Sequence, residues 1–165
     1  MNVQHATASD AEMLAMMQHN NALVWECLYD KYAAAMYGVT LRLTDDETLA
    51  EEILVQVFVR LKTSEILLES EKSLCLNLLQ HTYLTAKEIL KHHDIPTVHR
   101  EASSMLDCLV YKSHSIAETA AVHALTPAEV KQKLRSELKT IRSQYSQVSR
   151  PEDAETQVMT FVQSE

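Results

Sequence analysis

The chain has 165 residues, 46% of them hydrophobic and 23% charged, and a formal net charge of -8. That length suits one ordinary domain or two small ones, and the apolar fraction is too high for a disordered polyampholyte. One glycine and three prolines supply almost no turns, which excludes a sheet protein and a glycine-rich nucleotide loop, so the expected fold is all-α. Cys27, Cys75 and Cys108 are odd in number, far apart and without a CxxC pair, as buried thiols of a reducing compartment would be. Residues 1–20 lack a basic segment followed by an apolar run, and no stretch is long enough to span a bilayer. A soluble, cytoplasmic protein with no membrane contact is expected.

In chain order, helices are expected over 10–18, 21–43, 46–62, 72–92, about 100–112, 116–123 and 127–145. Four [ST]-x-x-E boxes mark helix starts: Ser9–Glu12, Thr44–Glu47, Ser115–Glu118 and Thr126–Glu129. In each, the hydroxyl can accept from an orphan backbone N–H while the glutamate reaches back to the cap residue's own N–H. The second helix places Leu23, Cys27, Leu28, Tyr32, Met36, Val39 and Leu43 on its inner side. The third turns Leu49, Ala50, Ile53, Leu54, Val57, Phe58 and Leu61 inward. Val55 and Val59 project the other way among Glu51, Glu52 and Gln56, either as harmless single exposures or as a partner surface. "HHDIPTVHR" (92–100) reads as a linker, with Pro96 ending the fourth helix. The acidic tail from 148 carries Val158, Phe161 and Val162 at helical spacing.

Charge divides along the chain. Residues 1–94 are net -7, residues 95–150 are net +3 and residues 151–165 are net -4. Two modules with different partners are implied, with boundaries at 1–93, a linker over 94–100, a second module over 101–147 and a tail over 148–165.

The basic residues gather on one segment. Ser115 caps a short helix, "HAL" turns the chain, and Thr126 caps a second helix with Pro127 at its first position, where proline loses nothing. Val130, Leu134, Leu138, Ile141 and Tyr145 make its apolar stripe. Lys131, Arg135, Lys139 and Arg142 lie one residue further round, with Lys133 beyond them. Two helices joined by a tight turn, the second one basic, form a helix–turn–helix layout. Lysine and arginine would neutralise phosphate, and Gln132 could reach a base edge. The alternative is a solvated basic face on an ordinary helix pair.

At this point the residues resemble a known family. "SIAETAAVHALTPAEVKQKLRSELKTIRSQ" is similar to region four of the extracytoplasmic-function (ECF) bacterial sigma factors, with Ser115, Glu118, Ala120, Val130, Lys131 and Leu134 in register. "LYDKYAAAMY" (28–37), "LRLTDD" (41–46) and "AEEILVQVFVRL" (50–61) resemble region two, in the same order and spacing. The resemblance covers about residues 9–145. It implies two small helical domains: a region-two-like bundle that docks on RNA polymerase core and melts the −10 element, and a helix–turn–helix domain that reads the −35 element. It also implies that Glu51, Glu52, Val55, Gln56 and Val59 face polymerase. Thr126, Glu129, Lys131, Gln132, Lys133, Arg135 and Lys139 would meet double-stranded promoter DNA.

The sequence departs from the family in places. Val55 and Gln56 stand where the family has glutamine and a carboxylate. "CLNLLQHT" (75–82) puts Cys75, His81 and Thr82 where it has tryptophan, arginine and asparagine. Ala124 stands at the glycine of the turn. A transcription initiation factor is therefore expected, or else a degenerate sigma-like regulator that no longer melts promoters. An anti-sigma factor is a further partner that the resemblance allows. His92, His93 and His99 lie near Asp94, but without a paired cysteine or glutamate motif they read as solvent-exposed linker histidines. No catalytic residue, metal site, cofactor or small-molecule substrate is expected, and the chain is not expected to be an enzyme.

Overall fold

A computed structural model describes residues 8–69, 73–97 and 105–145. The described residues are helical, without strands: α1 (Asp10–Gln18), α2 (Leu23–Leu41), α3 (Glu47–Thr63), α4 (Ile66–Glu69), α5 (Leu74–His92), a π-helical turn (Asp107–Tyr111), α6 (Ile116–His123) and α7 (Pro127–Gln144). The all-α expectation holds. The expected tail helix and residues 98–100 of the expected linker fall outside the described residues.

Helix starts follow the sequence closely, with one shift. Ser9, Ser115 and Thr126 each close a complete capping box with the glutamate three residues on. The expected box at Thr44 does not form. Asp46 caps α3 instead, accepting from the Leu49 amide at 3.0 Å, while the buried Thr44 hydroxyl oxygen accepts from the Asp46 amide. Aspartate is the better cap because its charge also faces the positive helix end. The apolar run past residue 62 breaks at Ser64 and resumes as the short α4.

α2 is the central pillar. Its buried residues point in every direction, as in a helix enclosed by others, and α1, α3, α5 and α7 all pack on it. Leu23, expected inside, is 46% exposed at the helix's first turn, before those neighbours close round it. The remaining expected inner residues of α2 are buried, as are those of α3 except the half-buried Leu49.

The region of the expected second domain shares its core with the first. One cluster of buried side chains runs from Met13 through α2, α3 and α5 to Leu106, Leu109, Val130, Leu134, Leu138 and Ile141. Polar contacts reinforce the join. Arg42 pairs with Asp107 at 2.9 Å, the Tyr111 hydroxyl donates to the Val39 carbonyl at 3.2 Å, and the Gln80 amide donates to the Leu109 carbonyl at 2.8 Å. Tyr83 and Tyr111 meet edge to face, with ring centroids 4.9 Å apart. Both Asp107 and Tyr111 lie in the π-helical turn, whose i→i−5 bond from the Lys112 amide to the Asp107 carbonyl widens the helix there.

The chain's one glycine sits at the crossing of α2 and α7. A Cβ at Gly38 would fall well inside contact distance of Ile141 Cγ2 and 3.4 Å from Tyr145 Cε2. Glycine in a helix interior costs about 1 kcal/mol relative to alanine. Here it lets the two backbones approach.

Candidate nucleic-acid interface

α6 and α7 are joined by a three-residue turn, Ala124 to Thr126. Ala124 takes the left-handed conformation (φ 52, ψ 44), and the Leu125 amide returns to the Ala120 carbonyl at 2.9 Å. That is the usual helix-ending geometry for glycine, so the alanine carries a strain of roughly 1 kcal/mol. Thr126 then starts α7. Its amide donates to Glu129 Oε2 at 2.7 Å, its hydroxyl donates to the same oxygen at 3.0 Å, and the Glu129 amide donates back to Thr126 Oγ1 at 3.3 Å. Those bonds hold the Glu129 carboxyl below the usual carboxylate range. Thr126 and Glu129 are both exposed, yet each is occupied by the other. Their role at this surface is to build the helix start.

Val130, Leu134, Leu138 and Ile141 are buried, which fixes the rotation of α7. Lys131, Gln132, Lys133, Arg135 and Lys139 are all exposed. At about 100° per residue, Lys131 and Lys133 stand about 200° apart, on opposite margins of the outward face. Arg135 is nearer the Lys131 margin, and Gln132 and Lys139 lie close to the middle. A helix about 10–12 Å across fits a major groove about 12 Å wide, so the two margins can meet phosphates of the two strands.

Both carboxylates of α7 are engaged by backbone amides, although Glu129 remains exposed beside Lys133. Glu129 is held in the capping box. Glu137 accepts from the Met105 and Leu106 amides at 3.0 and 3.1 Å, satisfying the orphan donors of the preceding segment. Arg142 also departs from the expected basic stripe. Its guanidinium lies over the Tyr32 ring, 5.5 Å from the centroid, with Nε buried and without a hydrogen bond. The Tyr32 hydroxyl donates to Asp10, which also pairs with Lys31 at 2.8 Å. Burial first, then the bond to Asp10, raises the Tyr32 phenol. Arg142 therefore helps fasten α7 to α2.

No local pattern marks Glu137 or Arg142 for these roles. The lone mid-helix glycine was a usable sign of a close crossing there.

The expected polymerase-facing residues lie together on α3. Glu51, Glu52 and Gln56 are exposed, Val59 is 51% exposed and Val55 is half-buried. Glu52, Val55 and Gln56 line a groove of about 570 Å³ between α3 and α5, floored by Ile53 and Ile89 and crossed by the two-pronged Arg60–Glu88 pair. His92 and His93 stand at its end, ring centroids 5.4 Å apart. His99 lies outside the described residues, and no group of three His, Cys, Asp or Glu among the described residues could hold a metal ion.

Positions 75–82 are buried or half-buried. Thr82 is wholly buried and donates to the Leu78 carbonyl at 2.7 Å. Burial lowers His81, and burial outweighs nearby Arg142 to push the Cys75 thiol up to about 11. These three residues belong to the packing of α5.

No protein-family model matches this chain, no curated protein matches it, and no solved structure matches it. No described helix is long and apolar enough to cross a membrane.

Proposed function

We propose that this chain is a sigma-like DNA-binding regulator that acts as one closed helical body. In this reading, α7 lies against the phosphates of duplex DNA, and the outward face of α3 meets RNA polymerase core or an anti-sigma factor. The observation that carries it is the docking of α7 on α2 through Gly38 and Ile141, with Lys131, Lys133, Arg135 and Lys139 left outward.

Distances separate this reading from a complete initiation factor. α5 and α7 both pack on α2. Packed helix axes lie about 8–10 Å apart, so α5 and α7 are within about 20 Å of each other. Elements named −10 and −35 are about 85 Å apart along a duplex rising 3.4 Å per base pair. A closed body spans one such element. Strand capture also calls for a positive groove with stacking aromatics. Instead, Thr82 is buried, Cys75 and His81 are half-buried, and residues 1–94 are net -7.

A second reading keeps the initiation factor, with α7 leaving α2 on polymerase. The exposure of Val59 and Gln56 on α3 suits polymerase docking in both readings. Transcription from genomic fragments by core polymerase, run beside a duplex-binding assay, distinguishes the two. Duplex binding without transcripts is the expected result. Factor-dependent transcripts would replace the closed-body reading with the second one.

A further inference from the structure

The outward face of α7 is a concentration of cations in an acidic chain. Among the described residues, Lys131, Lys133, Arg135 and Lys139 take part in no ion pair. Glu137, which could have balanced them, is turned to the Met105 and Leu106 amides, and the exposed Glu129, bound to the Thr126 amide, offsets only Lys133. Segment 151–165 begins six residues after Tyr145 and carries Glu152, Asp153, Glu155 and Glu165 with no lysine or arginine.

We propose that segment 151–165 occupies the outward face of α7 and competes there with duplex DNA. The carboxylates of Glu152, Asp153 and Glu155 take the place of phosphates against Lys131, Lys133, Arg135 and Lys139. Chain length permits it. From Tyr145, at the end of α7, Lys131 lies about 21 Å back along the helix, and seven to ten residues reach about 23–35 Å. Charge favours this face over the outward start of α3, and no other described element carries four exposed cations. The outward start of α3 carries Asp45, Asp46, Glu47, Glu51 and Glu52, all exposed, and repels an acidic segment. The contact itself stands apart from the DNA reading, whereas the competition rests on it.

The test compares three proteins: the whole chain, a chain lacking 151–165, and the whole chain carrying Glu152→Gln, Asp153→Asn, Glu155→Gln and Glu165→Gln. Backbone amide NMR without DNA reads the contact. Fluorescence anisotropy with a labelled duplex at 50 mM salt reads the competition. Deletion and neutralisation are each expected to move the Lys131–Lys139 amide signals. They are also expected to tighten duplex binding by about tenfold, a gain that shrinks as salt rises. Unmoved α7 amides on deletion would overturn the contact. Amides that move on deletion but not on neutralisation would overturn its electrostatic basis. Moving amides in proteins that all fail to bind duplex would leave the contact standing and remove both the competition and the DNA reading.

Discussion

Gly38 of α2 lies against Ile141 of α7 so closely that the smallest side chain on the glycine would collide with the Ile141 Cγ2 methyl. That methyl is attached at Cβ, and a β-branched side chain in a helix has one strongly preferred rotamer, so it cannot swing aside cheaply. The pair fixes how near the basic helix sits to the rest of the molecule.

Gly38→Ala sets two effects against each other. Helix propensity favours alanine by about 1 kcal/mol, and overpacking costs about 1–3 kcal/mol. The net change expected in urea denaturation is a loss of about 1 kcal/mol. In an Ile141→Ala background the methyl is gone, and the same substitution should stabilise by up to about 1 kcal/mol. Equal effects of Gly38→Ala in both backgrounds would contradict the close crossing.

Arg142 and Lys133 lie on the same helix and should behave differently. Lys133→Ala should leave the denaturation midpoint nearly unchanged and reduce the salt slope of duplex binding by about 0.9. Arg142→Ala should lower the midpoint and leave the salt slope unchanged, because its guanidinium rests on Tyr32. A salt-slope change for Arg142→Ala equal to that for Lys133→Ala would mean that Arg142 faces DNA.

Ala124→Gly should stabilise the protein. Release of the left-handed strain favours glycine by roughly 1 kcal/mol, partly offset by about 0.4–1 kcal/mol from the freer unfolded chain. A small rise in melting temperature is expected, and a fall would count against φ 52 at Ala124.

Acid should weaken the helix starts. Glu12, Glu118 and Glu129 are each held below the usual carboxylate range, chiefly by the backbone amide of the cap residue. Their folded values lie below their unfolded ones. The stability they add is present above the unfolded value and is lost as pH falls through the folded one. A Glu129→Gln chain should show a shallower fall in melting temperature below about pH 4.5 than the wild type. An unchanged acid limb would mean that the α7 capping box contributes nothing.

Local rules made much of this legible beforehand. α6 and α7 begin where Ser115 and Thr126 place them, because a capping box is a short-range device needing only four residues. The exposure of Lys131, Lys133, Arg135 and Lys139 followed from the spacing of Val130, Leu134, Leu138 and Ile141. Asp46 caps α3 in place of the expected Thr44, two residues earlier, because helix phase alone does not fix the first residue. The docking of α7 on α2 was out of reach because it joins residues about a hundred positions apart. For the same reason, Arg142 read as one more cation of the stripe until Tyr32 was placed beneath it. The π-helical turn is tied by bonds donated by Arg42 and Gln80 and by the Tyr111 bond to the Val39 carbonyl, which have no local sequence pattern.

The most direct test of α7 as a duplex-binding face on a closed body is the salt dependence of duplex affinity. In a chain lacking 151–165, four outward cations on phosphate give an expected slope of log K against log salt of about −3.6. Binding that is absent at 50 mM salt, or whose affinity does not change with salt, would contradict it.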